Sequence, residues 1–354
     1  MSSKPASGQD ASGTLSPADI RQARQDNPKA RERDLAKMLG VSEAACVAAW
    51  CGVAATRIEP RVAELLTGLE SLGEVMALTR NDQAVHEKIG VYDKVKVSDR
   101  GVIVVGDAID LRIRQKAWVH AFAVEKSGED RIARSLQIFD AFGEAVHKVH
   151  LRPDSDIDAY HGLVGRLRSE DQSQTIAISP KPAPAATVTL SDAEATGFRE
   201  AWAAISDVHE FHGVLRRFGL SRSDALRHAA PEFAWRLENG ALAAMMKVAA
   251  SERLPVMCFV ASSGVTQIHS GEITNIKEIG PWINVLDPNF HLHLRLDHVR
   301  DIWAVRKPVE GGHVTALEAY NENQQQIIQF FGLRGSNEAE REDWRFLIEN
   351  LPRI

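Results

Sequence analysis

Two histidines three residues apart, His209 and His212, form the densest chemical feature of the sequence, within Asp207-Val208-His209-Glu210-Phe211-His212. Neutral imidazole is a ligand for zinc, copper, nickel and haem iron. The chain from Ser191 to Gly219 reads as one long helix, with Ser191-Asp192-Ala193-Glu194 as a capping box and Gly219 as the stop. At about 100° per residue, Phe198, Trp202, Ile205, His209 and His212 fall within an arc of roughly 80°, so both imidazoles are expected on the apolar face. One reading makes them core histidines satisfied by backbone carbonyls; the other makes them a ligand site. A chelated metal ion wants a third or fourth ligand, and neither an HExxH helix nor a CxxC supplies one. Haem asks less of a sequence: one axial imidazole, an apolar slot and cations for its propionates. The aromatic stripe suits haem better than zinc. Neighbours on one helix face cannot bracket a single porphyrin, so His209 and His212 would be alternative ligands on the same side, with the second axial position filled from elsewhere in the chain or by water.

Other residues could do chemistry. Arg334, beside Phe330-Phe331-Gly332, could pair bidentately with a carboxylate at a pocket rim or form a surface ion pair. Arg112 sits in an alternating strand and could equally face solvent. His86, in Val85-His86-Glu87, reads as structural. His291 and His293 share one strand face opposite Leu292 and Leu294, and with His298 they read as a surface imidazole row. Cys46, Cys51 and Cys258 form no CxxC or CxxCH, which argues against a disulfide framework and against covalent haem attachment, and suggests small buried hydrophobes.

The elements that must position these groups are written in the hydropathy pattern. A chain of 354 residues, 44% hydrophobic and 25% charged, is an ordinary globular composition with room for two domains. Net charge is −6, so no global basic field recruits nucleic acid or anionic lipid, although Arg216, Arg217 and Arg222 could form a local patch. No apolar run of about 18 residues occurs, and Met1–Gly13 is Ser/Gly-rich without the apolar core of a secretory signal, so a cytoplasmic protein with a disordered tail over 1–16 and no membrane insertion is expected. Residues 17–70 read as helical; Leu39-Gly40-Val41-Ser42 is a stop followed by a new cap, and the segment after it is too poor in basic residues for a recognition helix. From Val75 the period becomes two, giving strands at 75–79, 84–87, 94–97, 102–105, 111–113, 118–124 and 131–139, with 145–150 a helix or a strand. Pro180, Pro182 and Pro184 mark a linker over 171–190.

After the linker the pattern recurs. Phe218-Gly219-Leu220-Ser221 repeats Leu39-Gly40-Val41-Ser42, Leu292-His293-Leu294-Arg295 repeats Leu111-Arg112-Ile113-Arg114, and Leu317-Glu318-Ala319-Tyr320-Asn321 repeats Leu136-Gln137-Ile138-Phe139-Asp140, all at a spacing of about 180 residues. The expected fold is therefore α+β and internally duplicated, with an N-terminal repeat over 17–170 and a C-terminal repeat over 191–354, each with helices followed by a large antiparallel sheet. His209 aligns near Ala30, so only the second half carries the imidazole pair.

These residues resemble the bacterial cytoplasmic haem-utilisation family of the HemS, ShuS, ChuS, HmuS and PhuS type, over nearly the whole chain. The likeness rests on Leu78-Thr79-Arg80-Asn81 with Ala84-Val85-His86-Glu87-Lys88 and Gly90-Val91-Tyr92, on Asp110-Leu111-Arg112, on Asp207-Val208-His209 with Phe211, and on Phe330-Phe331-Gly332-Leu333-Arg334. The histidine pair and the chain length are most similar to the PhuS type. The resemblance implies one non-covalent haem b between the C-terminal sheet and the helix bearing the proximal histidine. It implies His209 as axial ligand with His212 as the alternative, Arg112 on the distal side, and Lys307, Gln329 and Arg334 at the propionates. Phe331 replaces a propionate tyrosine of some members, and His212 replaces an apolar residue of many.

The function so implied is a haem chaperone, a monomer or homodimer, that receives imported haem, with the inner-membrane haem ABC importer as a further partner, and passes it to a haem oxygenase. The rival is an enzyme that opens the porphyrin itself; Gly101 and Gly106 do not form a GxGxxG, so no nicotinamide or flavin site accompanies it. A haem-responsive nucleic-acid regulator is a third reading, disfavoured by the acidic charge.

Overall fold

The computed structural model describes residues 15–98, 101–128, 130–183, 186–335 and 338–354. The expected tail falls outside these residues except for Leu15 and Ser16. Ser16 closes a capping box with Asp19 and starts the helix Pro17–Asp26.

The described residues divide into two compact units, one drawn from Met1–Thr79, Ile89–Pro182 and Ser262–Val265, the other from Arg80–Lys88, Ala183–Ala261 and Thr266–Ile354. In the first unit, helices Pro17–Asp26, Glu32–Leu39 and Glu43–Ala48 precede an antiparallel array in the order Ala55–Ile58, His120–Ser127, Ile132–Phe139, Ala145–Leu151, Val75–Arg80. Strands Val95–Ser98, Gly101–Val105 and Asp110–Ile113 pair in series beside them in sequence. Helices Val62–Gly68 and Ile157–Leu167 bury Leu65, Leu66, Leu163 and Leu167 in the unit's main core.

The second unit repeats this order. Helices Asp192–Ala203, Phe211–Phe218 and Arg222–His228 precede Ala234–Leu237, Asp301–Val309, Gly312–Tyr320, Gln326–Gly332, Val256–Ala261 and Val265–Gly271, each antiparallel to the next. Strands Ile276–Ile279, Trp282–Asp287 and Phe290–Arg295 form a meander, and Phe290–Arg295 takes Ala84–Gly90 as its outer neighbour through residues 84–88.

The repeat extends to single bonds. Gly40 and Gly219 are both left-handed helix stops, at φ 67° and 64°, where a side chain would be strained. Behind them Val41 donates to Ala36 O and Leu220 to Leu215 O. Both sheets carry a bulge at the matching place, Ile138/Phe139 and Ala319/Tyr320. The α+β duplicated architecture is as the sequence implies. Of the two forms left open for 145–150, the structure has the strand, over Ala145–Leu151, and one local reading changes: the stretch read as all helix contains the strand Ala55–Ile58, whose Thr56 and Ile58 are β-branched and which Pro60 follows.

Candidate functional site

The long helix expected from Ser191 to Gly219 is two helices. Asp192–Ala203 ends at Ala204, a single 3-10 turn spans Val208–Glu210, and Phe211–Phe218 begins anew. Side chains close the break: the Glu210 carboxylate accepts from Ser206 N at 2.9 Å and that of Asp207 from His209 N at 2.7 Å. An Asp that caps its own downstream turn competes with continuing the helix. The consequence corrects the expected burial. Phe198, Trp202, Ile205 and Phe211 carry the core, whereas His209 and His212 are exposed. They are not core histidines.

Beneath the helices lies an aromatic stack. Trp202 stands 4.4 Å from Phe211, 5.6 Å from Phe198 and 5.8 Å from Phe233, and its Nε1 donates to Arg306 O at 3.0 Å. The stack covers one face of the sheet. Register places Trp303, Glu318 and Gln329 in line, and next to them Val305, Ala316 and Phe331. Alternation then assigns Lys307 and Tyr320 to the same face.

That face holds a buried charge cluster. The ammonium of Lys307 lies over the rings of Phe211 at 5.3 Å and Phe331 at 5.6 Å. Burial pushes its pKa down to about 7, with Arg222 adding to the shift and Glu318 opposing it. Glu318 is fully buried, and burial alone would raise its pKa, yet Arg222, Lys307 and the Tyr320 hydroxyl hold it down to about 2. Arg222 binds Glu318 with two hydrogen bonds, at 2.8 and 2.5 Å, while Lys307 reaches it only at 3.9 Å. Burial and the neighbouring positive charges of Arg222, Lys307, Arg216 and His209 all lower the His212 pKa.

The structure therefore brings His212, Lys307 and Phe331 toward one cluster, with Gln329 on the same sheet face. The Gln329 Nε2 is buried and has no hydrogen-bond partner among the described residues, so it is a donor awaiting an acceptor. Arg334 lies beyond the end of its strand, half-buried, donating to Glu338 O at 3.4 Å. Arg112 belongs to the first unit and is ion-paired with Asp110. Cys46, Cys51 and Cys258 are buried free thiols. The imidazoles at 291 and 293 are half-buried and bonded, His291 to Glu87 at 3.3 Å and His293 to Asn284 at 2.7 Å.

Sequence reasoning missed Glu318 and Tyr320 and saw Arg222 only as surface charge. The available signal was Glu318 and Tyr320 alternating with Leu317 and Ala319, which sets a carboxylate and a phenol on one strand face. Among the described residues no group of three or more His, Cys, Asp or Glu stands where it could chelate a metal ion, and no helix is long and apolar enough to cross a membrane. A planar dianionic macrocycle with one imidazole-seeking metal fits the exposed imidazoles, the short-paired Lys307 and the orphan Gln329 amide better than a bare cation does.

Comparison with known proteins agrees with that chemistry. The haemin-degrading HemS.ChuX domain matches twice, at residues 40–167 and 219–351. The hemin transport protein HmuS of Yersinia pestis is 33% identical over 93% of this chain and 95% of its own length. The crystal structure of holo-PhuS, a heme-binding protein from Pseudomonas aeruginosa, superposes with a TM-score of 0.92 at 43% identity, covering 96% of this chain and all of that one. ChuS, the heme degrading enzyme of Escherichia coli O157:H7, superposes at 0.85 with 29% identity, covering 94% of this chain and 97% of that one. With its duplicated domain and these full-length likenesses, the chain belongs to the HemS/PhuS-type haem-utilisation family.

Proposed function

We propose that the chain binds haem b non-covalently in its C-terminal half, as cargo, and passes it to a haem oxygenase in the cytoplasm. The observation that carries this reading is the pairing of two exposed imidazoles with a buried cation short of a carboxylate: His209 and His212 on successive turns, and Lys307 left with a shared Glu318. Haem supplies what both lack, an iron centre for an imidazole and propionates for a cation. His209 is the axial ligand in this reading and His212 its alternative. Lys307, Arg334 and the Gln329 amide face the propionates, and Phe331 offers a ring without a hydroxyl.

A carrier must release what it holds. Ligands on an exposed, short-capped turn can exchange without opening the core, which suits transfer better than a buried histidine would. The names of two relatives, a hemin transport protein and a heme-binding protein, support the carrier reading. The description of ChuS as an E. coli heme oxygenase, at 29% identity, supports the rival in which the chain opens the porphyrin itself.

An absorption spectrum of the haemin-loaded protein, followed after adding ascorbate with catalase present, separates them. A carrier keeps its Soret band until haem oxygenase is supplied. Bleaching under catalase with appearance of a tetrapyrrole product establishes the enzyme, and failure to form a Soret complex removes the haem assignment.

A further inference from the structure

The duplication lets each half act as a reference for the other. In the C-terminal unit the space between the helices and strand Asp301–Val309 is plugged by Trp202, Phe211 and Phe233. Matching bonds identify their counterparts in the N-terminal unit. Counting back from the equivalent stops Gly219 and Gly40, Glu32 stands where Phe211 does. Arg306 N donates to Phe233 O at 2.7 Å and Glu125 N donates to Ala54 O at 2.8 Å, so Ala54 stands where Phe233 does. The helix Pro17–Asp26 contains no aromatic residue. The plug is therefore missing from the N-terminal unit.

A cavity of about 470 Å³ takes its place, walled by Trp50, Val53, Ala54 and Val124 and edged by Arg24 and Lys126. That is within the usual range for small-molecule sites. Its charge is unbalanced. Glu125 is taken by Arg134 at 2.6 Å, so Arg24 and Lys126 share Glu32, at 3.3 and 2.5 Å. The Nε of Arg24 is buried with no hydrogen-bond partner among the described residues. In a cavity bearing an apolar ring, an orphan guanidinium donor calls for an acceptor that brings negative charge.

We propose that this cavity is a ligand site of the N-terminal unit for a small organic monoanion with a flat apolar body, its carboxylate on Arg24 and its body against Trp50 and the valines. No histidine lines it, so it offers no imidazole for haem iron. The site arises from replacement of three rings and uses nothing from the C-terminal cluster.

The test is calorimetric titration of the full-length protein with indole-3-acetate and, separately, with neutral indole-3-acetamide. Ala54→Phe restores a ring that the sister unit already packs at the equivalent position, and Arg24→Gln removes the cation while keeping donors. Expected are saturable binding of the anion by the wild type, about tenfold or greater loss in Ala54→Phe, and about tenfold loss for the anion but none for the amide in Arg24→Gln. Circular dichroism and haemin binding of both variants should match wild type, which shows that the fold is intact. Wild-type protein that takes up no indole-3-acetate at millimolar concentration overturns the proposal, as does undiminished binding in Ala54→Phe or equal loss of both probes in Arg24→Gln.

Discussion

The ammonium of Lys307 lies 3.9 Å from the carboxylate of Glu318, which Arg222 already holds with two hydrogen bonds. A buried and a half-buried cation thus share one anion, and the buried, less well paired one sits between two phenyl rings on the face assigned to the ligand. Replacing an ill-paired buried charge by an apolar side chain of similar length is neutral or stabilising. Lys307→Met should therefore leave the urea midpoint unchanged or raise it, while the haemin dissociation constant rises about tenfold, the worth of one charge-assisted hydrogen bond. Soret titration and urea denaturation read the two effects on the same sample. Unchanged haemin affinity would take Lys307 out of the ligand site.

Glu318 should behave oppositely. Its carboxylate accepts from Arg222, from Tyr320 Oη at 2.6 Å and from Gln326 Nε2 at 3.0 Å. Glu318→Gln keeps the volume but leaves Arg222 and Lys307 without a counter-charge, and uncompensated buried charge costs about 3–5 kcal/mol. Urea unfolding followed by far-ultraviolet dichroism should show that loss. A change below about 1 kcal/mol would mean that Lys307 has given up its proton to absorb the substitution, a neutralisation that buried amines can undergo.

Much of this arrangement was legible in the sequence, for reasons that particular residues make clear. A half-buried strand writes its face in alternation, and Phe290–Arg295 alternates buried Phe and Leu with half-buried His and Arg as its letters suggest. The duplication was legible because both halves keep the same stops and caps. The helix break at Ser206-Asp207 was not, because the apolar periodicity of the letters runs on through it, whereas Asp207 is extended at φ −139° and ψ 139° and both His209 and His212 end up exposed. Arg222 and Glu318 are 96 residues apart, so their pairing follows from which helix covers which sheet face, a non-local fact that no window of sequence contains. Arg112 was placed correctly on a strand, but its partner Asp110, two residues back on the same face, was read only as a motif letter.

The histidine pair gives a prediction of its own. His209 follows the Asp207 cap and His212 opens the next helix, both exposed and each within electrostatic reach of the other. If His209 is the axial ligand and His212 its substitute during transfer, His209→Ala should shift and weaken the Soret band. His212→Ala should keep haemin bound but change the rate at which haem oxygenase acquires it. Stopped-flow absorbance with purified haem oxygenase measures that rate, and a wild-type rate in His212→Ala removes the exchange role.

Acid stability draws on other histidines, His147 and His150 in the first unit and His269 in the second. His147 is buried with both ring nitrogens bonded, to Thr79 Oγ1 at 2.8 Å and Tyr92 Oη at 2.6 Å, and burial pushes its pKa down to about 3, with His150 adding to the shift. His269 stacks on Phe290 at 3.8 Å and bonds Lys88 Nζ at 3.0 Å; burial and the Lys88 charge likewise push it down to about 3. Because the unfolded values lie near 6.5, the unfolded chain binds a proton at each site between pH 6.5 and about 3 while the folded chain does not. Stability is therefore full above pH 6.5 and falls as pH drops below it, by at most about 1.4 kcal/mol per pH unit for each histidine. Glu318 adds nothing to the loss until the pH reaches the unfolded carboxylate value of 4.5. His147→Gln preserves hydrogen bonding without titrating, so its urea midpoint should fall less steeply between pH 6 and 4.5 wherever unfolding of the N-terminal unit is monitored. An unaltered slope would assign the acid loss to groups other than His147, because the substitution removes that titration alone and leaves those of His150 and His269 in place.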